Sequence, residues 1–160
     1  MKFTRTHLDD IVRVTPPHDG EDWKLTRILE GNISEIALAD IDGDSEEEIM
    51  TIEPFHGNTI NVYKLKDGKY EVDYTYPNAI DFAHALVGTT LCGKPCFVAG
   101  IRRIDCECFV LTWEDGSYKV HTVDQGGGPA NLDVVHHNGK EYILAANHTR
   151  NEAAFYEVTE

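Results

Sequence analysis

Short stretches in which apolar and polar residues alternate follow one another along most of the chain, which is the pattern of half-buried β-strands. Residues 70–76 show it most clearly, since an aromatic residue or valine at every even position alternates with glutamate, aspartate or threonine. No stretch keeps the periodicity of an amphipathic helix over several turns. The pattern therefore predicts an all-β protein.

One dipeptide marks the spacing of these stretches. Asp19-Gly20, Asp67-Gly68 and Asp115-Gly116 recur at an interval of 48 residues, and an aromatic residue follows shortly after each pair. An Asp-Gly pair between two alternating segments is typical of a tight β-hairpin, in which the glycine supplies a positive φ. The fixed interval predicts a repeated unit of supersecondary structure.

Each complete unit is predicted to contain four short strands, and a further strand at 23–29 precedes the first unit. The predicted strands lie at 36–40, 49–53, 59–65 and 70–76 in the first unit, at 82–87, 96–101, 106–113 and 118–123 in the second, and at 132–135, 142–146 and 153–158 in the third.

Four-stranded antiparallel units of this length are the blades of a β-propeller, whose rings typically have four to eight blades. We therefore expect one repeat domain, a β-propeller-type array of about three blades. Its expected divisions are a half blade at about 1–32, blades at about 33–80 and 81–128, and an incomplete blade at about 129–160.

Three blades are too few for a closed ring, and open sheet edges invite pairing with another chain. Two alternatives stay open: the chain is part of a longer propeller, or its copies associate. A homodimer would bring about six or seven blades, within the usual range. Residues 1–16 and 145–160 occupy the same phase of the repeat, so they would compete for one strand position, and we expect the N-terminal arm to leave the sheet.

The chain is strongly acidic. It has 14 Lys and Arg against 28 Asp and Glu, which gives a net charge of −14 at pH 7. This charge disfavours nucleic acid and anionic membrane surfaces as partners, whereas cations and small polar ligands fit it. No apolar run resembles a leader peptide or a membrane span, so the expectation is a cytoplasmic protein.

All four cysteines lie in the second unit, at Cys92, Cys96, Cys106 and Cys108. This grouping is unlike a disulfide framework, and the spacing matches no common zinc motif. The first interpretation is that they are small buried apolar residues. The alternative is a soft-metal site, with Cys106 and Cys108 on one face of a strand and Cys96 on a neighbouring strand.

An acidic loop at residues 40–48 joins the first two strands of the first unit. Around Gly43 it places oxygen donors at alternate positions, which is the arrangement that a calcium ion requires. The flanking segments are predicted strands, so the loop is not an EF-hand. Its predicted ligands are Asp40, Asp42, Asp44, Glu46 and Glu48. The alternative is a solvated acidic turn that binds no ion.

The acidic loop resembles the calcium loop of FG-GAP and VCBS-type propeller repeats, as in integrin α-subunit propellers. In that family an acid-rich D-x-[DN]-G-D stretch joins two strands of a blade, and the resemblance implies a structural calcium ion. Glu48 stands where the family usually has aspartate. The corresponding segments at 88–95 and 136–140 lack the acids, so one ion at most is expected.

A second resemblance lies near the C-terminal end. Residues 126–131 and 142–147 are similar to the G-x-P and v-A-N elements of seven-bladed lactonase-type propellers. This resemblance implies an enzymatic alternative, a small-molecule enzyme of lactonase or lyase type, and does not place its catalytic residues. The sequence contains no Ser-His-Asp order, phosphate loop or zinc-hydrolase motif.

In a propeller, the loops between second and third strands and between blades gather on the face opposite the acidic loop, around the central channel. Polar residues there are candidates for binding a small polar or anionic ligand, and the alternative is that they are ordinary solvated loop residues. The candidates are Glu53, His56, His84, Arg102, Arg103, Asn131, Asn147, His148 and Arg150. The favoured function is a ligand- or protein-binding module with one structural calcium loop.

Overall fold

The computed structural model of the chain describes residues 10–160. It contains thirteen β-strands and no helix in that part. The strands are β1 Ile11–Thr15, β2 Lys24–Leu29, β3 Glu35–Ala39, β4 Glu48–Glu53, β5 Thr59–Lys66, β6 Lys69–Thr75, β7 Asp81–Leu91, β8 Lys94–Arg103, β9 Cys108–Glu114, β10 Ser117–Asp124, β11 Pro129–His137, β12 Lys140–Asn147 and β13 Glu152–Val158. Residues 10–160 include no helix with the length and apolar character of a membrane span.

The strands form four antiparallel sheets in chain order. We name them the N-terminal hairpin (β1–β2), the first sheet (β3–β6), the second sheet (β7–β10) and the third sheet (β11–β13). Consecutive sheets contact each other through their first strands, β3 with β7 and β7 with β11. The prediction of an all-β, antiparallel protein is confirmed. Within the described residues the sheets do not close into a ring.

Two-residue turns connect β5 to β6 and β9 to β10, as Asp67-Gly68 and Asp115-Gly116 predicted, whereas Asp19-Gly20 lies in the longer connection between β1 and β2. Both residues of each pair have positive φ, for example 50° at Asp67 and 80° at Gly68. Positive φ at two successive residues matches the right-handed twist of the flanking strands. Cys92-Gly93 and Asn138-Gly139 adopt the same conformation between the first and second strands of the second and third sheets.

The second sheet contributes to two apolar cores because successive side chains of a strand point to opposite faces. Phe97, Ala99 and Ile101 of β8 pack into the core shared with the first sheet. Cys96 and Val98 of the same strand pack into the core shared with the third sheet. Each core therefore joins one pair of neighbouring sheets.

A buried carboxylate also joins the first and second sheets. Glu107 accepts a hydrogen bond from the Tyr76 hydroxyl at 2.5 Å and another from Thr122 Oγ1 at 2.9 Å. The Tyr76 ring stacks on Phe109, with ring centroids 4.5 Å apart. Both carboxylate oxygens of Glu107 are thus satisfied, which removes the cost of burying them.

The cysteines differ in part from the sequence expectation. β9 begins at Cys108, because Cys106 has a φ of 50° and lies in the preceding turn. Cys106 and Cys108 therefore do not share a strand face, and this part of the soft-metal alternative is wrong. Cys96 and Cys108 are buried, whereas Cys92 and Cys106 are partly exposed. No cysteine belongs to a cluster of three or more metal-ligating groups in residues 10–160.

The expectation for the N-terminal arm falls partly on residues 1–9, which lie outside the described residues. Within the described part, Ile11–Thr15 forms an antiparallel pair with Lys24–Leu29. In the single chain this segment is therefore part of a sheet.

Candidate functional site

Two histidines and two arginines gather around the ring of Phe82, at the start of β7. The His56 ring stacks on Phe82 with centroids 4.4 Å apart, and it lies 5.1 Å from the His84 ring. The guanidinium carbons of Arg102 and Arg103 lie 4.7 and 4.6 Å from the Phe82 centroid, within cation–π distance. Of the residues proposed for the channel face, the fold thus brings these four together.

An exposed ring extends the same stack. Phe55 lies 3.9 Å from His56, centroid to centroid, and is 70% exposed. We call the set Phe55, His56, Phe82, His84, Arg102 and Arg103 the aromatic–basic patch. Its two phenylalanines were not among the predicted site residues, because a phenylalanine next to a strand is ordinarily assigned to a core.

The backbone around the patch holds unusual conformations. His56, Phe82 and Ile104 have φ values of 51°, 59° and 68°, a region that non-glycine residues seldom occupy. A hydrogen bond from Ala83 N to Gly57 O, 3.0 Å long, ties the β4–β5 loop to β7. Strained backbone of this kind persists only where packing enforces it, and it concentrates at functional sites.

The two arginines of the patch differ in their partners. Arg103 Nη1 lies 3.2 Å from Asp81 Oδ2, which neutralises its charge. The Arg102 side chain forms no ion pair within residues 10–160, and its buried Nε has no hydrogen-bond partner. Arg102 therefore carries a positive charge that no group in residues 10–160 pairs with.

Glu53 is not in the patch, although it ends β4 nearby. Its Oε1 accepts hydrogen bonds from Thr51 Oγ1 at 2.6 Å and from the Tyr63 hydroxyl at 2.8 Å. Burial, reinforced by the hydrogen bond to the Glu53 carboxylate, raises the pKa of Tyr63 to about 12. Asn147 and Tyr156 form an equivalent pair in the third sheet, joined by a 2.9 Å bond from Asn147 Nδ2.

The remaining candidates belong to the junction between the second and third sheets. Arg150 Nη1 pairs with Asp124 Oδ2 at 2.7 Å, and Asn147, which is 1% exposed, also donates to Glu152 at 3.0 Å. His148 is exposed and donates its backbone N–H to Gly128 O. Asn131 is exposed and accepts the N–H of the next residue. In residues 10–160 none of these side chains forms a hydrogen bond or an ion pair with a side chain of the patch.

The two lactonase-like elements contact each other at this junction. Thr149 N donates to Gly127 O at 3.0 Å, and a β-carbon on Gly127 would lie 2.9 Å from the Asn147 side chain. Glycine therefore permits a close approach of the two segments. In the described conformation Asn147 is enclosed by protein and serves this contact.

The acidic loop lies at the other end of the first sheet's strands. Its backbone wraps its own carboxylates: Ser45 N donates to Asp40 at 3.0 Å, Glu46 N to Asp44 at 2.9 Å, and Ile41 N to Glu48 at 3.0 Å. Ligand atoms of Asp40, Asp42 and Glu48 lie within 4.8 Å of one another. Glu46 is expected to contribute its backbone carbonyl, and its side chain is exposed and lies outside this carboxylate cluster.

A lysine from β5 lies among these carboxylates. Lys64 Nζ contacts Asp42 and lies 2.8 Å from Asp44 Oδ2 and 3.3 Å from Glu48 Oε1. Hydrogen bonding to Lys64 lowers the pKa of Asp44, whereas burial raises the pKa of Glu48. Burial by itself lowers the pKa of Lys64, but its hydrogen bonds to Asp42 and Asp44 outweigh that effect and raise it.

The donor set fits a hard cation. Asp40, Asp42, Asp44 and Glu48 supply carboxylate oxygens, the ligand type that calcium prefers. Glu48 is 1% exposed, and neither its Oε1 nor Asp40 Oδ1 has a hydrogen-bond partner in the described residues. The three carboxylates that Lys64 contacts, with Asp40 beside them in the cluster, also leave an excess of negative charge.

A large cavity lies away from both clusters. It is an open cleft of about 860 Å³ between the second and third sheets, beside the free edge of β13. Its lining is mainly apolar, and it includes Val110, Val123, Ile143, Tyr156 and Val158. Lys94, Glu114 and His121 also line it, but Lys94 Nζ and His121 Nε2 lie 3.2 and 3.7 Å from the same Glu114 oxygen, so these side chains pair with one another and we do not place the site in this cleft.

A comparison of the sequence with models of known protein families finds no match, and a comparison with curated proteins finds none either. The residues and their geometry therefore carry the functional proposal.

Proposed function

We propose that this chain is a β-propeller-type binding module that takes a small anionic ligand at the aromatic–basic patch. The observation that carries the proposal is the unpaired Arg102 guanidinium on the Phe82 ring, beside the stacked His56 and His84. In a chain with a net charge of −14, this is a local concentration of basic side chains. Such a concentration attracts an anion that the rest of the surface repels.

The chemistry of the patch favours a carboxylate or phosphate. A guanidinium presents several N–H donors in a fork that matches either group, and Arg102 Nε has no competing acceptor in residues 10–160. The imidazoles of His56 and His84 offer further nitrogen donors. The exposed ring of Phe55 supplies an apolar surface at the edge of the same site.

The patch favours binding over the enzymatic alternative. A histidine–carboxylate pair for acid–base chemistry would require Asp81 to orient His84, but Asp81 pairs with Arg103. Asn147, the best match to a lactonase-type element, is enclosed by protein. No other observation favours catalysis.

A titration with benzoate and with inorganic phosphate tests the proposal. NMR signals of the His56 and His84 rings are expected to shift, while those of His121 and His137, which lie on other elements, stay constant. Arg102→Gln should weaken benzoate binding at least tenfold, which corresponds to about 1.4 kcal/mol. Lys119→Gln removes the same charge from an exposed position of β10 and should leave the affinity unchanged. Unshifted His56 and His84 signals, or equal affinities in both variants, would overturn the proposal.

We also propose that the acidic loop takes one calcium ion in a structural role. The support is the cluster of carboxylate oxygens together with the buried Glu48 Oε1, which lies 3.3 Å from Lys64 Nζ and has no hydrogen-bond partner in residues 10–160. Neither a histidine nor another nucleophile belongs to the cluster in the described residues. The ion would hold β3 and β4 together at their connecting loop.

The packing of consecutive sheets supports the propeller part of the proposal. The first strands β3, β7 and β11 contact each other in order, as the innermost strands of neighbouring blades do. A second copy of the chain, or further blades of a longer protein, would complete the ring. Of these we propose association of two copies, which a measurement of the mass in solution tests.

A further inference from the structure

The cation position of the acidic loop is occupied by a side chain of the protein. Lys64 Nζ contacts carboxylates from three positions of the loop, Asp42, Asp44 and Glu48. The Lys64 side chain is only 21% exposed, although lysine ordinarily projects into water. An ammonium thus lies where the oxygen ligands of a divalent cation converge.

One ammonium does not satisfy this loop. Glu48 is buried, and its Oε1 lies 3.3 Å from Lys64 Nζ without forming a hydrogen bond. Asp40 Oδ1 is buried and unpartnered as well. A single ammonium thus leaves buried carboxylate oxygens without a hydrogen bond and does not balance the negative charge of the loop, so a cation of higher charge would be bound more favourably at this position.

The lysine has an alternative partner outside the loop. Lys64 on β5 lies opposite the exposed Glu71 on β6 in the strand register. Opposite residues of an antiparallel pair project to the same face and lie within reach of each other. A displaced Lys64 ammonium can therefore form an exposed cross-strand pair with Glu71 and remain solvated.

We propose that Lys64 is a built-in competitor of the calcium ion: the ammonium holds the loop together when calcium is low, and it withdraws toward Glu71 when calcium binds. This inference rests on the proposed calcium loop. Two like charges cannot occupy one small site, so the ion must displace the ammonium. The loop consequently stays folded without calcium, and its affinity for calcium is lower than its carboxylates alone would give.

The experiment compares Lys64→Met with the native chain and with Lys66→Met. Lys66 is the control because it lies on the same strand and pairs with Asp73 instead of the loop. Calcium affinity is measured by calorimetry, and the melting temperature in EDTA and in millimolar calcium chloride. Lys64→Met should bind calcium at least tenfold more tightly than the native chain. It should melt lower than the native chain in EDTA and show the larger rise with calcium, while Lys66→Met matches the native affinity.

Each of the other possible outcomes overturns one part of the proposal. If Lys64→Met and the native chain bind calcium equally tightly, the loop is a calcium site but Lys64 does not compete. If neither binds calcium, the calcium loop itself is wrong. Should Lys64→Met fail to fold, the native chain still decides the question, because the NMR signal of the Lys64 ε-carbon must move on addition of calcium while that of Lys66 does not. A Lys64 signal that stays in place while calcium binds would overturn the competition.

Discussion

Gly88 of β7 faces the backbone of Leu38 of β3 so closely that a β-carbon on Gly88 would lie 2.0 Å from the Leu38 carbonyl oxygen. No side chain fits in this space. The first strands of the first and second sheets approach each other at this point through a position that only glycine can fill. Gly100 plays a similar part at the next junction, where a β-carbon would lie 2.8 Å from Pro129 Cβ.

Gly88→Ala is therefore expected to lower the free energy of unfolding by about 3 kcal/mol or more, because backbone on both strands must move. The control is Gly116→Ala, in a hairpin with a φ of 74° and open space around the position. That change should cost only about 1 kcal/mol of backbone strain. Urea unfolding of the two variants measures the difference. Equal losses of stability would show that the close approach to Leu38 does not matter.

The four cysteine thiols should fall into two classes by their reactivity in the native protein. Burial raises the pKa of both Cys96 and Cys108 to about 12, so these thiols stay protonated at pH 8 and are enclosed as well. Cys92 and Cys106 are partly exposed. We expect a thiol reagent at pH 8 to modify Cys92 and Cys106 in the native protein and all four cysteines in urea. Peptide mapping identifies the sites, and rapid labelling of Cys96 in the native protein would contradict the packing.

Alkaline pH should destabilise the protein through Tyr63. Its pKa is about 12 in the folded chain and about 10 when unfolded. Folding therefore favours the protonated hydroxyl, whose contribution is complete below pH 10 and is lost as the pH rises to 12. Urea unfolding across this range should show the loss, and Tyr63→Phe should reduce it.

At pH 8 Tyr63→Phe should also cost about 1 to 2 kcal/mol, because Glu53 loses a hydrogen bond. Tyr142→Phe is the matched control, since the Tyr142 hydroxyl has no hydrogen-bond partner in the described residues. Burial also raises the pKa of three other tyrosines, Tyr76, Tyr118 and Tyr156. Tyr63 therefore accounts for part of the pH dependence, and a Tyr63→Phe profile identical to the native one would rule out that part.

The chain as given is expected to form a dimer in solution. The third sheet has three strands where its two predecessors have four, and Phe155 on its last strand is exposed. Light scattering should give twice the monomer mass of 18.0 kDa. Phe155→Lys should weaken the association, whereas Val120→Lys on β10 should not. A stable monomer at all concentrations would contradict the proposal.

Strand positions could be predicted because they depend on local patterns. Alternation of polarity located β2 and the strands of the first, second and third sheets, and two of the three Asp-Gly pairs, Asp67-Gly68 and Asp115-Gly116, located two-residue hairpin turns. The limits of β7 and β9 were harder to predict. Residues 88–91 extend β7 through pairing with β8, and Cys106 leaves the strand through its positive φ. Neither effect can be predicted from the local alternation of apolar and polar residues.

In the acidic loop the carboxylates could be predicted from the sequence, but the lysine that contacts them could not. Its carboxylates are close in the chain and could be identified together, whereas Lys64 lies on the strand after β4. Its place in the loop depends on the register that pairs Ile49 with Tyr63. A shift of one residue would turn Lys64 to the other face of the sheet. The register is a tertiary property, so the contact could not be predicted.

Only some of the residues predicted for the channel face lie together in the structure, and the reason is similar. His56, His84, Arg102 and Arg103 converge because the β4–β5 loop is hydrogen-bonded to β7. Arg150 is instead held at the next junction by Asp124. Loops of one face thus form separate clusters, and which residues meet depends on hydrogen bonds between sheets that alternation does not reveal.

The two cores that share the second sheet make the protein a short linear chain of coupled units. The second sheet packs in both cores, whereas the first and third sheets each pack in one. Loss of the third sheet therefore removes one core contact, and loss of the second sheet removes two. Opening should therefore begin at the N-terminal hairpin and the third sheet and reach the second sheet last. Amide protons of β8 and β9 should then exchange only when the whole domain unfolds, and those of β1 and β13 far sooner.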